Sequence, residues 1–142
     1  MKKVCIIFSL LVLFSCGTSK EIVDTYVNSK NKIIGIQEFN SVFVLKSINE
    51  STLDTTYILS AKRDYLKKQK LTEPFKDGEG ESITTNKTYS FELSSVRYRT
   101  SNMENLGVYI VFDNDTIWRG ANYNERKYFL SKNSIDLYIK EK

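Results

Sequence analysis

Two groups of carboxylates lie close enough in the sequence to act together. Asp113 and Asp115 are separated by one residue, and a pair of carboxylates is the catalytic machinery of most glycoside hydrolases. The same residue type is also favoured in tight turns, and the segment stands between two apolar runs. The pair therefore supports either a carboxylate-dependent hydrolase or a plain hairpin turn. We take the turn as the simpler interpretation and assign no catalytic residue.

The second group is an acidic loop, in which Asp77, Glu79 and Glu81 alternate with glycines. Calcium prefers oxygen ligands at such a spacing, but an EF-hand also requires Gly at the sixth position and Glu at the twelfth. Those positions, counted from Asp77, hold Ser82 and Thr88. We interpret the segment as a solvated acidic loop and predict neither a metal site nor a cofactor.

The chain contains no histidine, and its cysteines are Cys5 and Cys16. Histidine is the usual general base near neutral pH and the commonest metal ligand. The composition therefore argues against histidine-assisted nucleophilic catalysis, thiolate metal sites and a disulfide framework.

A basic cluster is the third candidate, and five cations lie within nine residues: Lys62, Arg63, Lys67, Lys68 and Lys70. On a helix, Arg63, Lys67 and Lys70 would share one face that meets anionic lipid or polysaccharide, and Arg97 and Arg99 could extend it. The alternative is a solvated helix that turns Tyr65 and Leu66 inward and pairs Asp64 with Lys68.

Aromatic residues near the second half of the chain form a fourth group: Tyr109, Trp118, Tyr123 and Tyr128. Together they could stack on a sugar or a peptide. More often such side chains fill a core or pack across strands.

These residues must be positioned by strands, because alternation dominates the sequence. Strands are predicted at 39–48, 53–61, 88–96, 107–112, 116–118 and 135–139. In the predicted strand 53–61, one face carries Leu53, Thr55, Tyr57, Leu59 and Ala61. In the predicted strand 88–96, one face carries Tyr89, Phe91 and Leu93. Residues 61–71 predict one short helix and residues 72–86 a long exposed loop. The pattern predicts a mainly β fold, either a small antiparallel open barrel (OB-like) or a sandwich.

The N-terminus reads as an export signal. Lys2 and Lys3 precede the apolar segment 4–14, which as a helix would span about 17 Å against a hydrocarbon core of about 30 Å. A signal-peptide helix fits this length better than a membrane span. Its removal would lower the net charge from +4 to about +2, which is too small and too scattered an excess for a nucleic-acid partner.

The end of this segment, Leu13-Phe14-Ser15-Cys16, resembles the lipobox of bacterial lipoproteins. The resemblance implies cleavage before Cys16 and acylation of that cysteine, so the membrane is a partner through the acyl chains. Gly17, in place of an aspartate that marks inner-membrane retention, implies the outer membrane.

The body of the chain, with "TTYILSAK", "NKTYSFELSSV" and "YFLSKNSIDLYI", resembles a group of small lipoproteins of unknown function in some Gram-negative bacteria. The likeness covers residues 40–140 and implies a five-stranded OB-like barrel. Asp136 stands where a glycine would be expected. Asp54-Thr55-Thr56 and Asp115-Thr116-Ile117 resemble the acceptor for O-glycosylation of exported proteins, which implies Thr55 and Thr116 as sites.

The sequence therefore predicts a signal peptide (1–15), an acylated tether (16–31) and a β-barrel-like domain (32–142). We expect a lipid-anchored cell-envelope protein whose non-catalytic β domain binds a ligand or partner, such as an envelope protein or polysaccharide, or has a structural role. A carboxylate-dependent envelope hydrolase and an inhibitor or immunity-type module are the alternatives. Whether the domain faces the periplasm or the exterior stays open.

Overall fold

A computed structural model describes residues 26–96, 99–100, 108–121 and 125–141. The signal peptide, Cys16, Arg97 and Tyr123 lie outside these described residues, as does the side chain of Arg99. None of the helical structure in the described ranges has the length and apolar character needed to cross a bilayer.

Eleven strands and one short helix follow one another along the described chain. In order they are β1 (Val27–Glu38), β2 (Val42–Asn49), β3 (Thr55–Ala61), α1 (Arg63–Lys68), β4 (Glu81–Ser82), β5 (Thr88–Ser95), β6 (Arg99–Thr100), β7 (Val108–Phe112), β8 (Asp115–Gly120), β9 (Lys127–Ser131), β10 (Ser134–Ile135) and β11 (Tyr138–Ile139).

Five of these strands close into a barrel in the order β1-β2-β3-β9-β5. β3 and β9 run parallel, and the other neighbours are antiparallel. The helix α1 follows β3, and a separate sheet, β6-β7-β8, is inserted between β5 and β9. This arrangement confirms the predicted mainly β class and the barrel alternative of that prediction. The barrel is closed and has one parallel pair, whereas an antiparallel open barrel was expected.

The interior of the barrel is filled by alternate residues of its strands. In β5 the predicted inward face, Tyr89, Phe91 and Leu93, is buried, while the residues between them, Ser90 and Glu92, are half-buried. These side chains meet Ile33, Leu45 and Ile58 from the adjoining strands in one apolar cluster. Period-2 alternation in the sequence therefore identified this part of the core directly.

β3 is buried on both of its faces. Ile58 belongs to the barrel interior, whereas Leu59 belongs to a second cluster on the outer face, under Val108, Ile110 and Trp118 of the inserted sheet. The predicted common face of β3, with Tyr57 and Leu59, is therefore the outer one. The inserted sheet covers part of the outside of the barrel, as a second layer.

The predicted tether is too long, because β1 begins at Val27 and takes residues 27–31 into the barrel. These residues pair with β5, and from Asn31 onward the strand also pairs with β2. The polar character of the segment concealed the strand. Its inward residue Asn31 is fully buried and satisfied by hydrogen bonds instead of apolar contacts.

A buried polar network occupies this end of the barrel, and its members are Ser29, Asn31, Ser47, Asn49 and Thr56. Thr56 Oγ1 donates to Asn31 Oδ1 at 3.2 Å, and Asn31 Nδ2 donates to Ser29 Oγ at 2.9 Å. Ser47 and Thr56 join through their hydroxyls at 2.7 Å, and Asn49 Nδ2 reaches Ser29 Oγ at 2.7 Å. Because these hydrogen bonds join side chains of three strands, they help to specify the pairing of β1, β2 and β3.

Three further expectations are corrected at the C-terminal half and the helix. Segment 135–139 is a tight hairpin, not one strand, because Asp136 adopts a left-handed conformation with φ of 52°. The strand β9, which closes the barrel, was not predicted at all. The helix is six residues long, shorter than the predicted 61–71.

The loop 72–86 is only partly exposed. Phe75 and Ile83 of the loop are buried, and its strand β4 pairs with β11 near the C-terminus. Its apolar residues therefore anchor the loop to the barrel.

The double burial of β3 makes a testable prediction. Ile58→Ala and Leu59→Ala should each lower the free energy of unfolding by about 2–5 kcal/mol, because each leaves a cavity in a separate cluster. Urea denaturation measures both. Ile36→Ala, at a side chain that is 37% exposed, is the control and should change stability by less than about 1 kcal/mol. A near-neutral Leu59→Ala would show that the outer face is not covered.

Candidate ligand-binding face

The inserted hairpin β7–β8 is fixed to the barrel at its tip. Asp115 accepts hydrogen bonds from Asn40 Nδ2 at 3.0 Å and from the Ser41 backbone N–H at 3.2 Å. Asp113 accepts one from Ser41 Oγ at 3.0 Å. Asn40 and Ser41 lie in the turn between β1 and β2, so the two aspartates hold the hairpin down over the outer face of the barrel.

These contacts favour the turn interpretation of Asp113 and Asp115. Asp113 takes the left-handed conformation, with φ of 54°, as the predicted turn requires. Burial, with a smaller contribution from the charge of Asp113, raises the pKa of the nearby Tyr65. The pair therefore positions the hairpin, and its contacts are those of a structural element.

The three carboxylates of the acidic loop face three different cations. Asp77 lies 3.7 Å from Arg63, Glu79 pairs with Lys140 at 2.8 Å, and Glu81 pairs with Lys87. The hydrogen bond from Lys140 lowers the pKa of Glu79. Across the described ranges, no three His, Cys, Asp or Glu residues are grouped so that they could hold a metal ion.

The basic cluster is divided by its ion pairs. Lys62 pairs with Glu38 at 2.5 Å and lies over the ring of Phe43. Arg63 contacts Glu73 and Asp136 as well as the loop carboxylate. Lys62 therefore ties the start of α1 to β1, and Arg63 ties the helix to the 72–86 loop and to the turn between β10 and β11.

The remaining cations of the cluster, Lys67, Lys68 and Lys70, are exposed. Lys70 follows the helix with φ of 54°, so the face predicted to carry it with Arg63 and Lys67 does not form. No ion pair joins Asp64 to Lys68 in the described structure. The prediction that Leu66 turns inward is confirmed.

A different group of residues is brought together on the outer face of the barrel. Strand register places Gly35 beside Lys46, Lys46 beside Tyr57, and Tyr57 beside Tyr128. We call this line of neighbours across β1, β2, β3 and β9 the outer row. At the usual spacing between strands it is about 14 Å long.

Arg126 lies next to the outer row and is oriented by aromatic rings. Its guanidinium is 5.0 Å from the ring centroid of Tyr57 and 6.0 Å from that of Trp118. Tyr57 in turn stacks on Tyr128 with centroids 4.9 Å apart. A hydrogen bond with Tyr128 raises the pKa of Arg126. The residue is exposed, and the rings and this hydrogen bond hold its guanidinium beside the outer row.

The outer row borders a groove with a volume of about 290 Å³. Its lining consists of Gly35, Ile36, Gln37, Val44, Lys46, Tyr57, Arg126 and Tyr128. Two of these residues are cationic and none is a carboxylate. Gly35 adds no side chain to the lining, and a methyl group there would meet Lys46 Cβ at an ordinary contact distance of 3.6 Å. The groove is suited to an oxyanion that both cations can reach.

The sequence pointed to only part of this groove. Tyr128 and Trp118 belong to the predicted aromatic group, but both are buried and serve mainly as packing. Gly35, Lys46 and Arg126 carried no local signal, because they lie on separate strands and loops. Only the register of the barrel brings them together.

Thr55 and Thr116, the residues implied as O-glycosylation sites, are both exposed. Accessibility is a condition for that modification, and the assignment stays a prediction.

Comparisons with known proteins add no further assignment. No protein-family model, curated protein or solved structure matches the chain.

The fixed hairpin tip yields a second prediction. Asp115→Ala should lower the free energy of unfolding by about 1–3 kcal/mol, because it removes two charge-assisted hydrogen bonds between the hairpin and the β1–β2 turn. Chemical denaturation measures the change, and faster amide exchange in β8 would locate it. Asp77→Ala, at a carboxylate side chain that is 91% exposed, is the control. Equal effects of the two substitutions would contradict the assigned role.

Proposed function

We propose that this chain is a lipid-anchored cell-envelope protein whose β domain binds an anionic partner without catalysing a reaction. The lipobox-like sequence at Cys16 supports the anchor, and the outer-membrane assignment follows from Gly17. Two or three acyl chains hold a protein stably on a bilayer. The domain would then act close to the membrane, on an envelope polysaccharide or protein.

The observation that carries the binding half of the proposal is the groove beside the outer row. Lys46 and the aromatic-held Arg126 supply positive charge among the lining residues, and the carboxylate of Glu125 lies near enough to Arg126 to contribute to its raised pKa. An arginine already fixed by rings loses little freedom when it meets a ligand. Such a site favours a carboxylate or phosphate carried on a larger molecule.

The hydrolase alternative draws less support from the structure. The acidic groups on which it depends are engaged elsewhere, Asp113 and Asp115 with the β1–β2 turn and the loop carboxylates with separate cations. A glycosidase needs two acids that converge on one cleft. We therefore retain binding as the proposed activity.

Anchoring is tested by metabolic labelling with palmitate in a Gram-negative host. The full-length chain should incorporate the label and fractionate with membranes, whereas Cys16→Ala should lose the label. Cys5→Ala is the matched control, because its cysteine would leave with the signal peptide. Labelling that persists in Cys16→Ala would refute the anchor and leave the binding half untouched.

Binding is tested with polygalacturonate as an acidic polysaccharide probe and dextran as its neutral counterpart. We expect retention on the acidic polymer that weakens with salt, and Lys46→Gln should reduce affinity about fivefold, as about 1 kcal/mol of charge interaction implies. Lys68→Gln, at an exposed lysine of α1, is the control. Equal losses in both variants would indicate general charge attraction and would contradict a site at the outer row.

A further inference from the structure

A second concavity opens at the end of the barrel that holds the buried polar network. Its volume is about 710 Å³, which lies within the range of small-molecule sites. The first residues of β1 form one wall and the β2–β3 turn forms the other, with Ser90 of β5 beside them. It is separate from the outer row, with which it shares no lining residue.

The hydrogen bonds of the network connect the barrel interior with the cavity. Thr56 Oγ1 donates to Asn31 Oδ1 and lies 2.7 Å from Ser47 Oγ, a contact in which either hydroxyl can be the donor, while Ser47 Oγ also donates to the Thr56 carbonyl at 3.3 Å. The amide of Asn31 then donates to Ser29 Oγ. This series of hydrogen bonds therefore extends from Ser47 in the barrel interior to Ser29 at the wall of the cavity.

Ser29 is the last residue in this series of hydrogen bonds. Its hydroxyl oxygen accepts from Asn31 Nδ2 and from Asn49 Nδ2, which occupies both lone pairs. The hydroxyl hydrogen meets no acceptor among the described residues, and Ser29 lines the cavity. Hydrogen bonds in series polarise one another, so this hydrogen is a strengthened donor available to an incoming oxygen.

The opposite wall is held in place by Asn49. Its Oδ1 accepts from the backbone N–H groups of Ser51 and Thr52, at 2.9 and 3.0 Å. The backbone of Glu50 is tied to that of Lys30 at 3.0 Å. The cavity is therefore formed before any ligand enters, which limits the ordering cost of binding.

The lining identifies the class of ligand. Most of its side chains are neutral hydroxyl or carboxamide groups, and its two charged residues, Lys30 and Glu50, have opposite sign. Val27, which is 60% exposed, adds one apolar surface. We propose that this cavity is a binding site for a neutral saccharide, whose hydroxyls both donate and accept and whose ring carbons can cover Val27. Ser29 would donate to one saccharide oxygen.

The test uses the purified full-length protein, labelled for NMR, with maltose, cellobiose and diacetylchitobiose as probes. At least one disaccharide should shift the amide signals of Ser29, Ser51 and Thr52 in a saturable way. Ser51→Trp should abolish binding, because an exposed side chain on the rim would then fill the cavity without disturbing the network. Absence of saturable shifts with all three sugars, or unchanged affinity in Ser51→Trp, would overturn the proposal.

The role of Ser29 is tested in the same titration. Ser29→Ala should weaken binding about fivefold, as loss of one neutral hydrogen bond implies. Ser95→Ala, at an exposed serine of β5 outside the cavity, should leave the affinity unchanged. Thermal unfolding verifies that Ser29→Ala is folded. If that variant does not fold, the Ser51→Trp titration alone tests whether the saccharide binds in this cavity. Lys46→Gln should not alter disaccharide binding, which keeps this site distinct from the outer row.

Discussion

The burial of β3 on both faces is the constraint on which the rest of the structure depends. Ile58 packs in the barrel interior and Leu59 packs against the inserted sheet. One strand therefore contributes to two apolar clusters on its opposite faces. The parallel pairing of β3 with β9 closes the barrel at the same place. A change in the register of this strand would exchange the two faces and disrupt both clusters together.

The two candidate sites follow from this arrangement. The inserted sheet covers part of the outer face, including Tyr128, and the rest of the outer row lies at its border, where Tyr57 stacks on Tyr128 and supports Arg126. At the end of the barrel, apolar filling gives way to the polar network, which directs a donor into the second cavity. Each site thus lies where an apolar layer ends.

The carboxylates and cations that stood out in the sequence became mainly structural. Asp113 and Asp115 fix the hairpin tip, and Arg63 joins α1 to three carboxylates, two in the 72–86 loop and one at Asp136. Charged residues close together in sequence point in different directions once a loop or a short helix is folded. Each then pairs with whichever opposite charge the fold brings near. Close spacing in the sequence was therefore not sufficient evidence that these residues form one binding or catalytic site.

Local patterns by themselves determined the β5 alternation, the hairpin turn at Asp113 and the mainly β class, because side-chain direction and turn conformation depend on neighbouring residues. Asp136 marks the limit of such patterns: its left-handed φ makes a tight hairpin where one strand was predicted, and it accounts for the glycine that the lipoprotein resemblance implies there. Only the tertiary structure decided the strands β1 and β9, the second layer over β3, and the outer row. The members of that row are 11 or more residues apart, and strand register, not periodicity, selects which distant residues become neighbours.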